Sequence, residues 1–379
     1  MIPITLPRSK SIVIRCLIVN YLRTGVLLPV YDNDSNDIKV VHTALKAIDL
    51  QKKNRVEERY TIDVEDCGTA YRFLMAILST TPGKWLLTGR SRLLERPIMP
   101  LVKFLIEHGA SIVKTKKGWN IDGKELQIDH IEIDSTETSQ YGSAVLMIMG
   151  KSKSENLEKT ENENPYIRMT ESILRISCSK TLGKLTALSD WSAAAFWIAD
   201  ALLKQNVRYL LKYLHFDNLQ GDAEIVQLCS TWGLAFTEKE YGIEIERVAH
   251  IDIPEQQIDV SHTPDIAMIL ATLAVCYPFE LTLRGLKNLN LKESKRLDII
   301  VGELSKFTTV EKHSEESVTI HRRIKILPEI FHFDSYNDHR FVMAWSLFRN
   351  FGNVNIKNSD CIKKSYPFFA PVGLNQCPS

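Results

Sequence analysis

Six stretches of the chain share one pattern, and this repetition is its most constraining feature. Each begins with a short polar segment and continues into a run of small and apolar residues at helical spacing. The six stretches begin at Ser9, Asp66, Thr138, Asp190, His262 and Asn337. Their starts lie about 50 to 75 residues apart, so each repeat is a whole supersecondary unit rather than one rung of a solenoid.

The polar starts of these stretches suggest a function. A helix N-terminus carries unpaired N–H groups and partial positive charge. Six such starts bearing Lys, Arg, Ser, Thr and Gln would form a strong anion site if they converged. Any one of them alone is more simply explained as the start of an ordinary core helix. The repetition favours the anion-binding interpretation.

Composition narrows the class of protein. With 379 residues, 44% apolar and 25% charged, the chain is typical of a soluble globular protein of one to three domains. A net charge of +1 gives no global field that would attract nucleic acid or an acidic membrane. The seven cysteines show no CxxC pair and no zinc spacing, which indicates a reducing compartment. No signal-peptide segment or membrane-length apolar run is present, so we expect a cytoplasmic protein.

Short β-type runs alternate with the helical stretches, which favours α/β layers. The candidate strands are WLLTG, SIVKT, IEID, LTALS, YGIEIE, LTLRGL and VNIKN. We expect a domain boundary near residue 189, with one domain at 9–188 and the other formed by 1–8 plus 189–379. The segment ITLP could pair as a strand with either half. The charged segment 151–164 is typical of a solvated loop.

Two pairs of residues have the spacing of neighbours on one helix face. Ser11 and Arg15 are four apart, and so are Lys292 and Arg296. For the first pair, together with Lys10, the alternative interpretation is a capping serine and two surface cations. For the second pair it is a salt-bridged surface helix. Around Gly68 we expect a turn whose backbone approaches a ligand closely, because glycine has no Cβ.

Eleven segments, in chain order and covering nearly the whole sequence, together resemble one family. They are PRSKSIVIR, DCGTAYRFL, LTGRSRLLERPIMPL, TSQYGSAVLM, NPYIRM, SDWSAAAF, LQGD, HTPDIAM, NLNLKESKRL, YNDHRFVMAWSL and CIKKSYPFF. The chain resembles the 5-enolpyruvylshikimate-3-phosphate synthases, also called 3-phosphoshikimate 1-carboxyvinyltransferases. The resemblance implies transfer of the enolpyruvyl group of phosphoenolpyruvate to the 5-hydroxyl of shikimate 3-phosphate, with release of phosphate, in the shikimate pathway of aromatic amino-acid biosynthesis.

The same resemblance implies a two-domain inside-out α/β barrel of repeated βαβαββ units that closes on its substrates. It implies a monomer with no metal and no organic cofactor. The stretch from Tyr166 to Asp190 is shorter than in the family, so we expect one unit to be abbreviated.

The resemblance also assigns roles to individual residues. Shikimate 3-phosphate would be bound by Lys10, Ser11, Arg15, Thr138, Ser139, Gln140, Tyr166, Asp265, Asn288 and Lys292. Phosphoenolpyruvate would be bound by Lys10, Gly68, Arg96, Gln140, Arg296, Arg340 and Lys364. Asp265 is the candidate base for the hydroxyl proton, while Glu293 and Lys10 are candidates for delivering the methylene proton.

Three alternatives stay open at this point. A same-fold enolpyruvyl transferase acting on a UDP-sugar typically opens with a Lys-Asn pair and carries a reactive loop cysteine, whereas this chain has Lys10-Ser11 and no cysteine between Arg90 and Arg96. A same-fold RNA-end cyclase would need a basic RNA face, which a net charge of +1 does not support. A binding-only relic would fit the shortened stretch but not the retained Lys10, Asp265 and Glu293.

Overall fold

The computed structural model describes residues 1–54, 58–128, 133–149, 164–176, 179–323, 325–370 and 374–375. The chain divides into two compact units. The N-unit is Lys10–Ala187, and the C-unit is Met1–Ser9 together with Leu188–Ser379. The N-unit is thus an insertion after the ninth residue of the C-unit.

The regular elements are numbered along the chain. The helices are α1 Lys10–Thr24, α2 Asn36–Asn54, α3 Gly68–Ser79, α4 Ser91–Leu94, α5 Met99–Glu107, α6 Gln140–Met149, α7 Pro165–Arg175, α8 Ser179–Leu185, α9 Trp191–Leu203, α10 Ile225–Thr231, α11 Ala267–Cys276, α12 Arg296–Leu304 and α13 His339–Trp345. The strands are β1 Ile2–Thr5, β2 Tyr60–Asp63, β3 Gly83–Thr88, β4 Ser111–Thr115, β5 Gly118–Gly123, β6 Arg208–Lys212, β7 Leu234–Lys239, β8 Gly242–Arg247, β9 Gln256–Asp259, β10 Leu281–Arg284, β11 Val310–Lys312, β12 Ser317–Ile320, β13 Ile330–Asp334, β14 Asn353–Lys357 and β15 Leu374–Asn375. Short 3-10 turns lie at Gly221–Glu224, Leu289–Leu291, Ser346–Asn350 and Ser359–Lys364.

All six repeated stretches form helices, namely α1, α3, α6, α9, α11 and α13, as predicted. A helix that is apolar all round must be buried on every side. Helix α11 meets this condition, since every residue from Ala267 to Cys276 is buried. Side-chain caps hold three of these starts. Cys67 Sγ accepts the Ala70 N–H at 3.3 Å, Asp190 accepts the Ala193 N–H at 3.0 Å, and Asp338 accepts the Arg340 N–H at 3.0 Å.

One sheet topology occurs three times. In the N-unit, β2 and β3 are parallel, and β5 and β4 follow in antiparallel pairing. The C-unit repeats this arrangement in the order β1-β6-β8-β7 and again as β9-β10-β12-β11. In each copy a buried helix, α3, α9 or α11, lies between the two parallel strands in the sequence. Each of these helices therefore begins at the same relative place in its repeat.

The remaining strands of the C-unit form a parallel sheet, β13-β14-β15, with α13 between β13 and β14. No sheet closes on itself within the part of the chain that is described. The mixed α/β class predicted from the sequence is confirmed. The strand ITLP, which the sequence left open, pairs with β6 of the C-unit.

Five predicted strands are confirmed as β3, β4, β8, β10 and β14. The predicted strand IEID and the charged segment 151–164 lie largely outside the described residues. The predicted strand LTALS is wrong, because Leu185 ends α8 and the Ala187 N–H donates back to Lys184 O at 3.0 Å. At this point the chain leaves the N-unit, and Leu188 accepts the Ser9 N–H at 2.8 Å in the C-unit.

The shortened stretch agrees with the expected abbreviated unit. Residues 133–149, 164–176 and 179–187 contain α6, α7 and α8 and no strand. The segment Lys10–Asn54 likewise contains α1 and α2 without a strand. Within the described part of the N-unit, only the middle repeat carries a sheet.

Candidate active site

The N-unit buries a guanidinium among neutral groups. Arg15 lies on α1 and is 2% exposed. Its Nε donates to Thr170 Oγ1 at 2.7 Å, its Nη2 to Ser143 Oγ at 3.2 Å, and its Nη1 to Ser11 O at 2.9 Å. Burial lowers the pKa of Arg15 to about 10, although Tyr166 and Cys16 act to raise it. The predicted neighbourhood of Ser11 and Arg15 on one helix face is confirmed.

The absence of a counterion is the important feature of Arg15. Among the described residues, no carboxylate lies within 4 Å of its guanidinium. Taking an ion out of water is costly unless an opposite charge compensates it. An anion bound nearby would supply that charge. Lys10, at the start of the same helix, is instead paired with Asp37 Oδ2 of α2 at 2.9 Å.

The starts of α3 and α6 meet through an amide. Gln140 Nε2 donates to Thr69 Oγ1 at 3.1 Å, and Gln140 Oε1 accepts from Arg72 Nη1 at 2.8 Å. Arg72 also donates to Pro97 O through its Nη2 at 3.0 Å. The N-cap of α3 is Cys67, whose Sγ accepts the Ala70 N–H at 3.3 Å. The Thr69 hydroxyl instead contacts Gln140.

Gly68 and Arg96 lie against each other. A Cβ on Gly68 would lie 2.5 Å from Arg96 Nη1 and 2.8 Å from its Cζ. The structure thus brings together two predicted residues that are 28 positions apart (96 minus 68). The missing side chain at Gly68 is what makes room for the guanidinium.

The other predicted N-unit residues are half-buried at helix starts. Thr138 and Ser139 directly precede α6, and Thr138 Oγ1 accepts the Gln140 N–H at 3.3 Å. Tyr166 opens α7, where its N–H is capped by Asn164 Oδ1 at 3.0 Å. Its carbonyl oxygen accepts from Arg15 Nη2 at 3.4 Å. Of these three residues, Tyr166 contacts the buried guanidinium.

The C-unit gathers its charges in a different way. Asp265 lies two residues before the start of α11 and is held by two guanidinium groups. Arg296 Nη1 donates to its Oδ1 at 2.9 Å, and Arg340 Nη2 donates to its Oδ2 at 2.8 Å. Burial alone would raise the pKa of Asp265, but Arg340, Arg296 and Lys292 hold that pKa well below its usual range.

Arg296 is the centre of this cluster. Besides Asp265, it donates to Asp338 Oδ2 through Nε at 2.8 Å and to Glu293 Oε2 through Nη2 at 3.0 Å. Asp338 is fully buried and also accepts from Ser294 Oγ at 2.9 Å. These carboxylates raise the pKa of Arg296, although its burial acts to lower it. The guanidinium is thus fixed and permanently charged.

The expected helix face for Lys292 and Arg296 is wrong. Arg296 is the first residue of α12, whereas Lys292 ends the 3-10 turn Leu289–Leu291 with extended backbone. The helix begins where Asn290 Oδ1 accepts the Leu297 N–H at 3.0 Å. Lys292 still belongs to the cluster, because its charge acts on Asp265.

Two further predicted residues lie at or near the cluster. Lys364 Nζ is 3.9 Å from Glu293 Oε1 and is itself buried. Asn288 is half-buried and precedes the turn Leu289–Leu291. The structure therefore brings together Asp265, Glu293, Arg296, Arg340 and Lys364, which the sequence separates by up to 99 positions (364 minus 265).

A buried carboxyl outside the predicted set lies next to this cluster. Asp222 belongs to the turn Gly221–Glu224, and its Oδ2 accepts from Ser192 Oγ near the start of α9. Burial, followed by the negative charge of Asp265, raises the pKa of Asp222 to about 7, against the opposing effect of Arg340. This carboxyl is therefore largely protonated below neutral pH, while Asp265 is ionised.

Sequence reasoning missed several polar residues that complete the two sites. Arg72, Asp222 and Asp338 lie in GTAYR, LQGD and YNDHR, but the sequence assigned no role to these three residues themselves. Charged residues inside otherwise apolar segments were the signal that could have identified them. Thr170 and Ser143 had no such signal, because isolated hydroxyl residues on helices are common.

Taken together, the described elements define an α/β protein of repeated βαβαββ units with cationic side chains at or near the starts of several of its helices. In the described residues no group of three potential metal ligands is assembled, and no helix is long and apolar enough to cross a membrane. A sequence model of the family described as EPSP synthase (3-phosphoshikimate 1-carboxyvinyltransferase) matches residues 4–372. The chain belongs to this family of transferases.

Named relatives and solved structures agree with that membership. The chain is 30% identical over 395 aligned residues to the 3-phosphoshikimate 1-carboxyvinyltransferase of Bacteroides fragilis, covering 96% of this chain and 92% of the relative. It is 27% identical to the Shewanella woodyi protein of the same name, over 96% and 94% of the two chains. The EPSP synthase structure from Acinetobacter baumannii has a TM-score of 0.64 at 18% identity, covering 96% and 93% of the chains, and supports the fold.

Proposed function

We propose that the protein transfers the enolpyruvyl group of phosphoenolpyruvate to the 5-hydroxyl of shikimate 3-phosphate and releases phosphate. The C2 atom of phosphoenolpyruvate accepts the 5-oxygen while its methylene carbon takes up a proton, which gives a tetrahedral intermediate. Loss of phosphate and of a methyl proton from that intermediate yields the product. Family membership and the chemistry of the two clusters support this reaction.

The N-unit supplies the groups suited to shikimate 3-phosphate. Arg15 provides a buried positive charge without a carboxylate partner among the described residues. Lys10, Ser11, Thr138, Ser139, Gln140 and Tyr166 add donors at the starts of α1, α6 and α7. A phosphate and a carboxylate require such charge-assisted hydrogen bonds. We also propose shikimate 3-phosphate as a ligand of three residues that belong to the C-unit, namely Asp265, Asn288 and Lys292.

Phosphoenolpyruvate carries a carboxylate and a phosphate, for which guanidinium groups are well suited. In our proposal Arg296, Arg340 and Lys364 of the C-unit bind it. Lys10, Gly68, Arg96 and Gln140 of the N-unit contribute to the same substrate. Gly68 does so by leaving room for Arg96.

Asp265 is the proposed general base that takes the proton of the 5-hydroxyl. Lys10 or Glu293 delivers the proton to the methylene carbon and stabilises the developing charge. The observation that carries this assignment is the position of Asp265 between Arg296 and Arg340, at 2.9 and 2.8 Å. A carboxylate beside two cations is adjacent to the anionic substrate that those cations would bind.

Phosphate release measured with shikimate 3-phosphate and phosphoenolpyruvate together, with each alone, and with a UDP-sugar in place of shikimate 3-phosphate tests the proposal. We expect release only with the first pair, and the enolpyruvyl ether in the product by mass spectrometry. Release with the UDP-sugar, or with none of the mixtures, would contradict it. Asp265→Asn should lower kcat by about 10²- to 10⁴-fold while shikimate 3-phosphate still binds.

A further inference from the structure

Asp265 covers the two buried guanidinium groups of the C-unit. The side chains of Arg296 and Arg340 are 2% and 7% exposed, whereas that of Asp265 is 23% exposed. Each oxygen of its carboxylate accepts from one guanidinium, at 2.9 and 2.8 Å. The geometry is that of a carboxylate ligand held in an anion site, except that the carboxylate belongs to the protein.

The two guanidinium groups differ in how strongly they depend on Asp265. Arg296 has two further carboxylate partners, Asp338 and Glu293. Among the described residues, Asp265 is the only carboxylate within 4 Å of Arg340. The Nε of Arg340 is buried and makes no hydrogen bond to any described residue. Within the described part of the chain, Arg340 therefore has one carboxylate in direct contact, with Asp190 and Asp222 acting from further away, and one unused donor in a dry environment, where an unused donor is costly.

We propose that Asp265 is an internal occupant of the anion site formed by Arg296 and Arg340, and that the carboxylate or phosphate of phosphoenolpyruvate replaces it. The inference rests on the proposed function for the identity of the ligand. No covalent bond changes in this step, because one anion replaces another on the same two cations. The Nε–H of Arg340 becomes available to the incoming anion.

The exchange would couple substrate binding to catalysis. While Arg296 and Arg340 hold the Asp265 carboxylate, its affinity for a proton is low. Once an external anion neutralises the two guanidinium groups, Asp265 regains basicity and can accept the hydroxyl proton. Lys292 and Glu293 also act on the pKa of Asp265, Lys292 lowering it and Glu293 raising it. The base is thus released when the second substrate is in place.

The exchange predicts a gain of affinity on removal of the internal anion. Asp265→Asn in the full chain should bind phosphoenolpyruvate, and inorganic phosphate as a simpler probe, at least about fivefold more tightly than wild type, because the amide competes poorly for two guanidinium groups. Asp265→Ser is a second variant in case the asparagine protein folds poorly. Titration calorimetry at constant ionic strength gives both dissociation constants.

Asp252→Asn is the matched control, because Asp252 forms an exposed pair with Arg322 of the same unit at 3.1 Å and its substitution changes the net charge equally. We expect this control to bind both anions as wild type does. A gain below about fivefold over that control in every folded Asp265 variant would overturn the exchange. Turnover of wild type is measured separately, so an inactive wild type would contradict the proposed function while phosphate binding still decides the exchange.

Discussion

Each unit buries an arginine, but the surroundings of the two guanidinium groups differ. In the N-unit, Arg15 is surrounded by the hydroxyl groups of Thr170 and Ser143 and by backbone carbonyl oxygens. In the C-unit, Arg296 contacts three carboxylates. Among the described residues, the positive charge of Arg15 therefore has no carboxylate partner, whereas that of Arg296 is compensated by carboxylates of its own unit.

The difference matters because substituting an arginine affects folding stability differently when the arginine belongs to a buried ion pair than when it has no carboxylate partner. Removing one partner of a buried pair leaves the other charge uncompensated. Removing a lone buried ion leaves no such charge behind. The same substitution of arginine should therefore have unequal consequences in the two units, and ligands should stabilise the N-unit site by supplying a missing charge.

The largest effect on stability is expected for Arg296→Met. It leaves Asp265, Glu293 and Asp338 without their shared cation, so the free energy of unfolding should fall by about 3 to 5 kcal/mol. Urea unfolding at neutral pH measures this. A loss below about 1 kcal/mol would show that the carboxylates do not depend on Arg296.

A pH-dependent effect is expected for Asp222→Asn. The folded pKa of about 7 lies above the ordinary value of 3.8, so between these values the folded state binds a proton that the unfolded state lacks. This contribution to stability is present at acidic pH and is lost as pH rises through about 7. The variant should therefore gain about 1 to 3 kcal/mol over wild type between pH 5 and pH 8.

Urea unfolding of wild type and Asp222→Asn at several pH values tests this. The control is Asp360→Asn, because Asp360 is exposed and, within the residues that the structure describes, its one ion pair is with Lys363 of its own turn. Its difference from wild type should not change with pH. Parallel stability curves for Asp222→Asn and wild type would mean that Asp222 does not hold its proton in the folded protein.

A smaller effect on stability is expected for Arg15→Met. Methionine is similar in length and leaves no carboxylate unpaired, so unliganded stability should change by less than about 1.5 kcal/mol. The stabilisation that wild type gains from shikimate 3-phosphate should be largely lost. Unfolding with and without this ligand measures both quantities, and a loss equal to that of Arg296→Met would break the contrast between the units.

The smallest effect is expected for Gly68→Ala. The added methyl group would meet the end of the Arg96 side chain, which can move aside, so stability should change by less than about 0.5 kcal/mol. The displaced guanidinium should raise the KM for phosphoenolpyruvate about three- to tenfold and leave that for shikimate 3-phosphate unchanged. Gly183→Ala is the matched control, because among the described residues an added Cβ would meet no atom within 4 Å apart from its chain neighbours and the backbone of its own helix. Equal KM values in wild type and Gly68→Ala would contradict the predicted role of Arg96.

The buried helices could be predicted from the sequence because their residues are apolar on every side, as in α11. Five strands were predictable because short β-type runs alternate with the helical stretches in the sequence. The prediction of a strand at LTALS was wrong. Its composition suits a strand, but the chain there passes from one unit to the other. Local composition carries no information about such a passage.

The candidate site was predictable only in part. The sequence named Asp265, Arg296 and Arg340 but gave no sign that they contact one another, because such pairing depends on how distant segments pack. The spacing of Lys292 and Arg296 suggested one helix, yet Asn290 caps α12 so that the helix begins at Arg296. A side-chain cap decided the geometry where spacing alone did not.

The position of β1 has a consequence for the order in which the two units fold during synthesis. Strand Ile2–Thr5 is made first, but its partner β6 ends at Lys212. At about 5 to 20 residues per second, the ribosome needs roughly 10 to 40 seconds to supply that partner. The N-unit is fully synthesised before then. We therefore expect it to fold before the C-unit, whose sequence lies on both sides of it. Deleting the first five residues should therefore impair the later-folding C-unit, whose sheet loses an edge strand, rather than the N-unit that directly follows the deletion.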